Sequence, residues 1–352
     1  MQKRTDRKSF SLRLEEKVLT RNWIVGIVYK NHSLWRGAMK KILVLVAIFI
    51  VFFAPFALAQ TKITIGTGGT GGVYYPYGGT MAEIISKFVP GVTATAEVTG
   101  ASVENVRLIG QKKIELGLSM NDTVYQAYKG EGKFAGGKID ALRTVFQMYP
   151  NLYHVVTLKK YPIYKISDLK GKKVSVGAPG SGTELKTSQV LPALGIEYKD
   201  MKVYRLSFSE NTTQLKDGTI EVGIWSVAPP TSSIIDLATT HEIRFIPFSK
   251  EEIEKIEKMY PYYVGSVIPK NTYKGQTEDI PTLAVWNSVV CHKDLPEDLV
   301  YKITKAIFEH KKMLVDTHKI AEFTTPEVSA TKSPIPIHPG ALKYYKEIKV
   351  IK

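Results

Sequence analysis

A single cysteine, Cys291, in 352 residues leaves no partner for an internal disulfide, and neither a Cys-x-x-Cys pair nor closely spaced histidines supply a structural zinc site. After residue 60 histidine is thinly spread, at His154, His241, His292, His310, His318 and His338, and none stands with a serine or cysteine in a nucleophile motif. Arginine is scarce after residue 60, where only Arg107, Arg143, Arg205 and Arg244 occur. A basic stripe is missing as well. The formal charge is +15, yet 11 of the 48 basic and 3 of the 33 acidic side chains fall within residues 1–60, and the remaining charges are dispersed without a run. Nucleic-acid binding therefore lacks its electrostatic footprint. These absences predict a protein that is not an enzyme, with no cofactor, no metal and no nucleic-acid partner.

What is present begins with an export signal. Met39-Lys40-Lys41 precedes an apolar run over 42–58, and Ala57-Leu58-Ala59 places small residues at −3 and −1 for cleavage after Ala59. Residues 39–59 read as a signal peptide, residues 1–38 as an over-extended, disordered start, and Met39 as the initiator. The alternative is a retained N-terminal anchor, since the run is just long enough to span. No cysteine follows to carry a lipid. Either way, most of the chain is expected to work outside the cytoplasm, in the periplasm.

With 44% hydrophobic and 10% aromatic residues the remainder can bury a full core, and its length suggests two domains. Short β-rich runs alternate with amphipathic helical ones, the pattern of parallel strands with helical crossovers. Ile63-Thr64-Ile65 leads through Gly66-Thr67-Gly68-Gly69-Thr70-Gly71-Gly72 to a helix with Met81, Ile84, Ile85 and Phe88 on one face. Strands over 93–98 and 114–119 precede two more loop-helix units. A second set starts after Tyr149-Pro150, with strands near 173–177, 203–207, 221–226 and 243–247, and a helix from about Glu184 that Pro192 shortens or kinks. A long strand over 282–291 and a helix after Pro296 return to the first pattern. The expected architecture is α/β with two lobes, 60–148 plus 266–352 and 149–265, and a ligand cleft between them.

The loops carry the candidate chemistry. Residues 66–71 match G-x-G-x-x-G, but the next acidic residue at a strand end, Glu97, lies 26 positions beyond Gly71, and export argues against a dinucleotide. What remains is a backbone that can approach an anion closely at a helix N-terminus, through Gly69 and Gly72; a tight turn packed for its own sake is the plainer alternative. Gly180-Ser181-Gly182-Thr183 repeats the arrangement with two hydroxyls, which bind a carboxylate or merely cap the helix. Ser102 with Asn105, and Asn121 with Asp122, carry the same two readings. Tyr74, Tyr75 and Tyr77 follow the glycines, and Trp225 ends a strand; each lines a cleft wall or packs in a core.

Six segments together carry a resemblance. ITIGTGGTGGVYY (63–75), TGASVENVRL (99–108), DTVYQAY (122–128), LKGKKVSVGAPGSGT (169–183), IPKNTYKGQ (268–276) and IPIHPGALKYY (335–345) resemble, in order, the solute receptors of TAXI-type TRAP transporters. The resemblance implies a two-lobed periplasmic-binding-protein fold, of the type II kind, that delivers a small carboxylate or an amino acid such as glutamate to an ion-gradient-driven permease. On its motifs it places Gly68, Gly69, Gly72, Tyr74, Tyr75, Ser102, Asn105, Ser181, Gly182 and Thr183. Where the family often has Gln-Ser before the aspartate, this chain has Met120-Asn121, so the solute does not carry over; His338 is expected to pack or cap. A monomer is the default, and the competing functions are a receptor for a membrane sensor without transport and an exported α/β hydrolase.

Overall fold

The computed structural model describes residues 60–352 together with Met39. The segments read as an over-extended start and a signal peptide otherwise lie outside the described residues.

The first three strand-loop-helix units form as their periodicities predict. β1 (Thr61–Gly66), α1 (Tyr74–Phe88), β2 (Val92–Glu97), α2 (Ser102–Gly110), β3 (Leu116–Met120) and α3 (Asn121–Lys129) follow one another. β1 lies parallel between β2 and β3, so the loops after all three strands open at one edge. α1 buries Tyr77, Met81, Ile84 and Ile85, and α2 buries Val103, Val106 and Ile109 against Ile114, Val124 and Leu142.

β4 (Leu142–Leu158) differs from expectation, because it runs unbroken through Pro150 where a boundary was predicted. Pro150 faces Trp286 of the antiparallel β10 (Ile280–His292), and the register shifts between Trp286 and Ser288. Between these two pairs β4 advances three residues, Pro150 to Gln147, while β10 advances two, so a bulge in β4 itself lies beside the residue that has no N–H to donate and bends the pair there.

Between these long strands the chain forms β5 (Lys173–Ser175), α4 (Gly182–Ala193), β6 (Lys202–Tyr204), α5 (Phe208–Lys216), β7 (Val222–Val227), α6 (Ser232–Thr240), β8 (Ile243–Phe245), α7 (Lys250–Met259) and β9 (Val264–Ile268). Pro192 sits beside the end of α4 and closes it rather than kinking it. After β10 come α8 (Glu297–Glu309), α9 (Lys311–Thr317), α10 (Pro326–Thr331) and α11 (Pro339–Glu347), the last capped by His338.

The sheet order is β2-β1-β3-β10-β4-β7-β5-β6, with β8 on β4 and β9 on β10. β3 pairs with the C-terminal half of β10, while β7 pairs with the C-terminal half of β4 and β9 with the N-terminal half of β10. Two groups of strands thus hang on opposite ends of one long antiparallel pair. Ile63, Ile65, Met81 and Leu116 belong to one large apolar cluster that also takes in Leu215, Trp225 and Leu237 of the second group, and Val174, Val190, Val222 and Ile224 to another.

Candidate functional site

The loops at the strand ends of the two groups meet. From the first group come Gly68, Gly69, Gly72, Val73 and Tyr74, then Ala101 and Ser102, then Met120; from the second come Ser181, Gly182 and Thr183, then Phe208, Ser226 and Val227. With Asn151 of β4 they enclose a cavity of about 50 Å³. Glycine is required where the halves touch. A Cβ at Gly72 would lie 3.0 Å from the Phe208 ring, and one at Gly71 2.6 Å from Ser209 Oγ, so the glycine loop can rest on the start of α5 only without side chains. A Cβ at Gly182 would strike Met120 and lie 2.7 Å from Ser102 Oγ.

No lining residue is charged. What faces inward is backbone and hydroxyl. Val73, Tyr74, Ser102, Gly182, Thr183 and Phe208 stand at the N-terminal ends of α1, α2, α4 and α5, and their N–H groups donate to no acceptor among the described residues. Such groups carry the positive end of each helix dipole and attract anions. Ser102 Oγ accepts from Met120 N at 3.1 Å and has the Tyr74 phenol oxygen beside it for its proton, while Thr183 Oγ1 accepts from Ser226 N at 3.3 Å and keeps its proton to give. Ser181 differs: its Oγ donates to Ala178 O at 2.7 Å and accepts from Glu184 N at 3.1 Å, which makes it the N-cap of α4.

Backbone hydrogen bonds also join the halves without any ligand. α2 has no side-chain cap; instead the Gly180 carbonyl accepts from Val103 N and Glu104 N, both at 3.1 Å. Gly180 takes φ +74°, as glycine readily does, and Ala101 beside it is held at φ +75°, which alanine avoids.

Seven of the sequence candidates therefore line the cavity, namely Gly69, Gly72, Tyr74, Ser102, Ser181, Gly182 and Thr183, and Gly180 stands behind them as a cap. The Tyr74 phenol donates to Asn287 Oδ1 at 2.5 Å, and burial pushes its pKa up so that it stays neutral. Others are committed elsewhere. Asn105 is buried, its Nδ2 donating to Gly66, Thr67 and Leu118 carbonyls at 3.0, 2.8 and 2.8 Å, and so pins the loops. Asn121 donates to Gln147 Oε1 at 2.8 Å, Trp225 is wholly buried with Nε1 on Ser233 Oγ at 3.2 Å, and Tyr75 points outward, 38% exposed.

Asp122 accepts from Tyr263 Oη and from Thr123 N, each at 2.7 Å; burial raises its pKa while the Tyr263 bond and nearby Lys186 oppose the rise. Lys186 is buried too, its Nζ 5.0 and 4.7 Å from the ring centroids of Tyr153 and Tyr263, and burial lowers its pKa to about 7 against the pull of Asp122.

Sequence reasoning did not list Val73, Ala101, Met120, Asn151, Phe208, Ser226 or Val227 as site residues. Strand alternation was the available signal for Ser226, which points to the opposite face from Trp225. No group of three metal-ligating side chains occurs among the described residues, and no helix there is long and apolar enough to cross a membrane.

A bent pair of long strands carrying two α/β halves, with helix N-termini turned toward a cavity between them, defines a two-lobed α/β fold. The fold matches PhnD1 from Prochlorococcus marinus (MIT 9301), solved with methylphosphonate, at a TM-score of 0.51 and 12% identity over 83% of this chain and 100% of that one. The periplasmic aliphatic sulphonate binding protein SsuA from Escherichia coli aligns at 0.42 and 12% identity over 82% and 83%, and a putative L-cystine ABC transporter from Listeria monocytogenes at 0.46 and 13% over 75% and 98%. Residues 65–348 match the NMT1-like family, and the chain belongs to it.

Proposed function

We propose that this protein is an extracytoplasmic solute receptor that captures a small organic anion between lobes 60–148 plus 266–352 and 149–265, and hands it to a membrane permease. One observation carries the reading: first-turn N–H groups of helices from both lobes line a chamber with no charged side chain. A carboxylate or similar anion there gains charge-assisted bonds from each lobe, which only the closed form provides together, so occupancy and closure are coupled. The signal at 39–59 exports the receptor to the periplasm, and the TAXI-like motifs favour a TRAP-type, ion-driven permease as its partner.

The testing experiment is thermal. A panel of small carboxylates, amino acids including glutamate, phosphonates and sulfonates is added to the purified protein, and at least one anion is expected to raise Tm in a concentration-dependent way. Silence across the whole panel contradicts the proposal.

A further inference from the structure

Asn151 lies on the cavity wall, 3% exposed, where β4 passes from one lobe to the other. Its Nδ2 donates to Ser226 O at 3.0 Å, which fixes the amide, since the reverse orientation would set two carbonyl oxygens against each other. Its Oδ1, shielded from solvent, receives no hydrogen bond from the protein. A buried acceptor without a donor is costly and uncommon. The helix-end N–H groups and the Thr183 hydroxyl on the same wall can donate, and among the buried side-chain atoms of the lining only Asn151 Oδ1 has no hydrogen-bond partner. The chamber therefore asks for a solute with an anionic end and, separately, one hydrogen to give. Met120, Phe208 and Val227 supply an apolar remainder.

Size and charge narrow the class. About 50 Å³ holds roughly three to five water-sized positions at 10–15 Å³ each, room for only a short solute. A donor in the form of an ammonium would need a carboxylate beside it. Asp122, the nearest candidate by sequence, is turned to Tyr263 and Thr123 instead. A neutral amide oxygen suits a hydroxyl.

We infer that the solute is a short 2-hydroxycarboxylate, its carboxylate on the helix N-termini and its hydroxyl donating to Asn151 Oδ1. The inference rests on the receptor reading and deepens it. Lactate, propionate and alanine share one carbon skeleton and differ only in hydroxyl, hydrogen or ammonium at C2, so calorimetric titration of the wild-type protein with each isolates the contact.

Lactate is expected to bind at least tenfold more tightly than either of the others, because an analogue that leaves a buried acceptor unpaired is strongly rejected. Asn151→Asp, which adds a negative charge, is expected to reverse the order of lactate and alanine. Equal affinity for propionate, or tighter binding of alanine by the wild type, overturns the inference while leaving an anion receptor intact. Binding of none of the three also overturns it, and mass spectrometry of the solute that co-purifies then separates the two failures: a different anion keeps the receptor reading, and a cationic or absent solute removes it.

Discussion

At the residue scale, hydroxyls two positions apart do different work. Ser181 spends both its proton and a lone pair on its own loop, whereas Thr183 keeps its proton free. Ser181→Ala is expected to lower unfolding free energy by about 1 kcal/mol, as loss of a cap does. Thr183→Val leaves Ser226 N without its acceptor and is expected to cost about 1–3 kcal/mol, but unlike Ser181→Ala also to weaken anion binding by fivefold or more; denaturation and titration of both variants check the split. Asn105 serves three carbonyls at once, so Asn105→Ala is expected to cost about 1–3 kcal/mol in urea unfolding through the acceptors left unpaired. Lys186 gives a pH signature. Its folded pKa of about 7 lies below the ordinary 10.5, so between those values the unfolded chain holds a proton that the folded one lacks. Stability is therefore expected to rise with pH across that window, by at most about 1.4 kcal/mol per unit, and Lys186→Met to lose that part of the rise. Lys133, lowered to about 8 by burial and nearby arginines, acts in the same sense in both proteins, so the difference between their curves reports Lys186. Parallel curves would refute the assignment.

At the element scale, the sequence showed most of the helices and central strands because their burial is periodic: α1 repeats apolar residues at three and four positions, and β3 and β7 are continuous buried runs. It concealed the continuity of β4, since Pro150 reads locally as a breaker and the β4 bulge beside it, formed against β10, is not marked in the sequence. The capping of α2 was equally hidden. Its partner, the Gly180 carbonyl, lies some seventy-five residues away, and no local pattern signals a cap supplied by another lobe. That cap is expected to matter for closure. Gly180→Ala imposes a left-handed alanine, costing roughly 1–2 kcal/mol, and should weaken solute affinity about five- to thirtyfold while secondary structure by circular dichroism is unchanged. Unaltered affinity would show that the contact is not part of the closed state.

At the scale of the whole molecule, the candidate site was legible as loops and illegible as a chamber. Glycines and hydroxyls after strands announce helix N-termini, and most of those named do converge; Asn151, Met120 and Phe208 needed the meeting of the two halves to become neighbours. Asn121, Asp122 and Trp225 looked similar in sequence, but their polar groups are taken up by Gln147, Tyr263 and Ser233. If the proposed receptor closes about the bulged segment at Pro150 and Trp286, stripping the co-purified solute and adding it back is expected to raise and then lower the radius of gyration in solution scattering. The most direct test of the account is a crystal structure of the protein with that solute bound. The account predicts an anionic group within hydrogen-bond distance of the N–H groups of Tyr74 or Ser102 in one lobe and of Gly182 or Thr183 in the other. An anionic group turned away from both helix ends, or a solute held anywhere else, would contradict it.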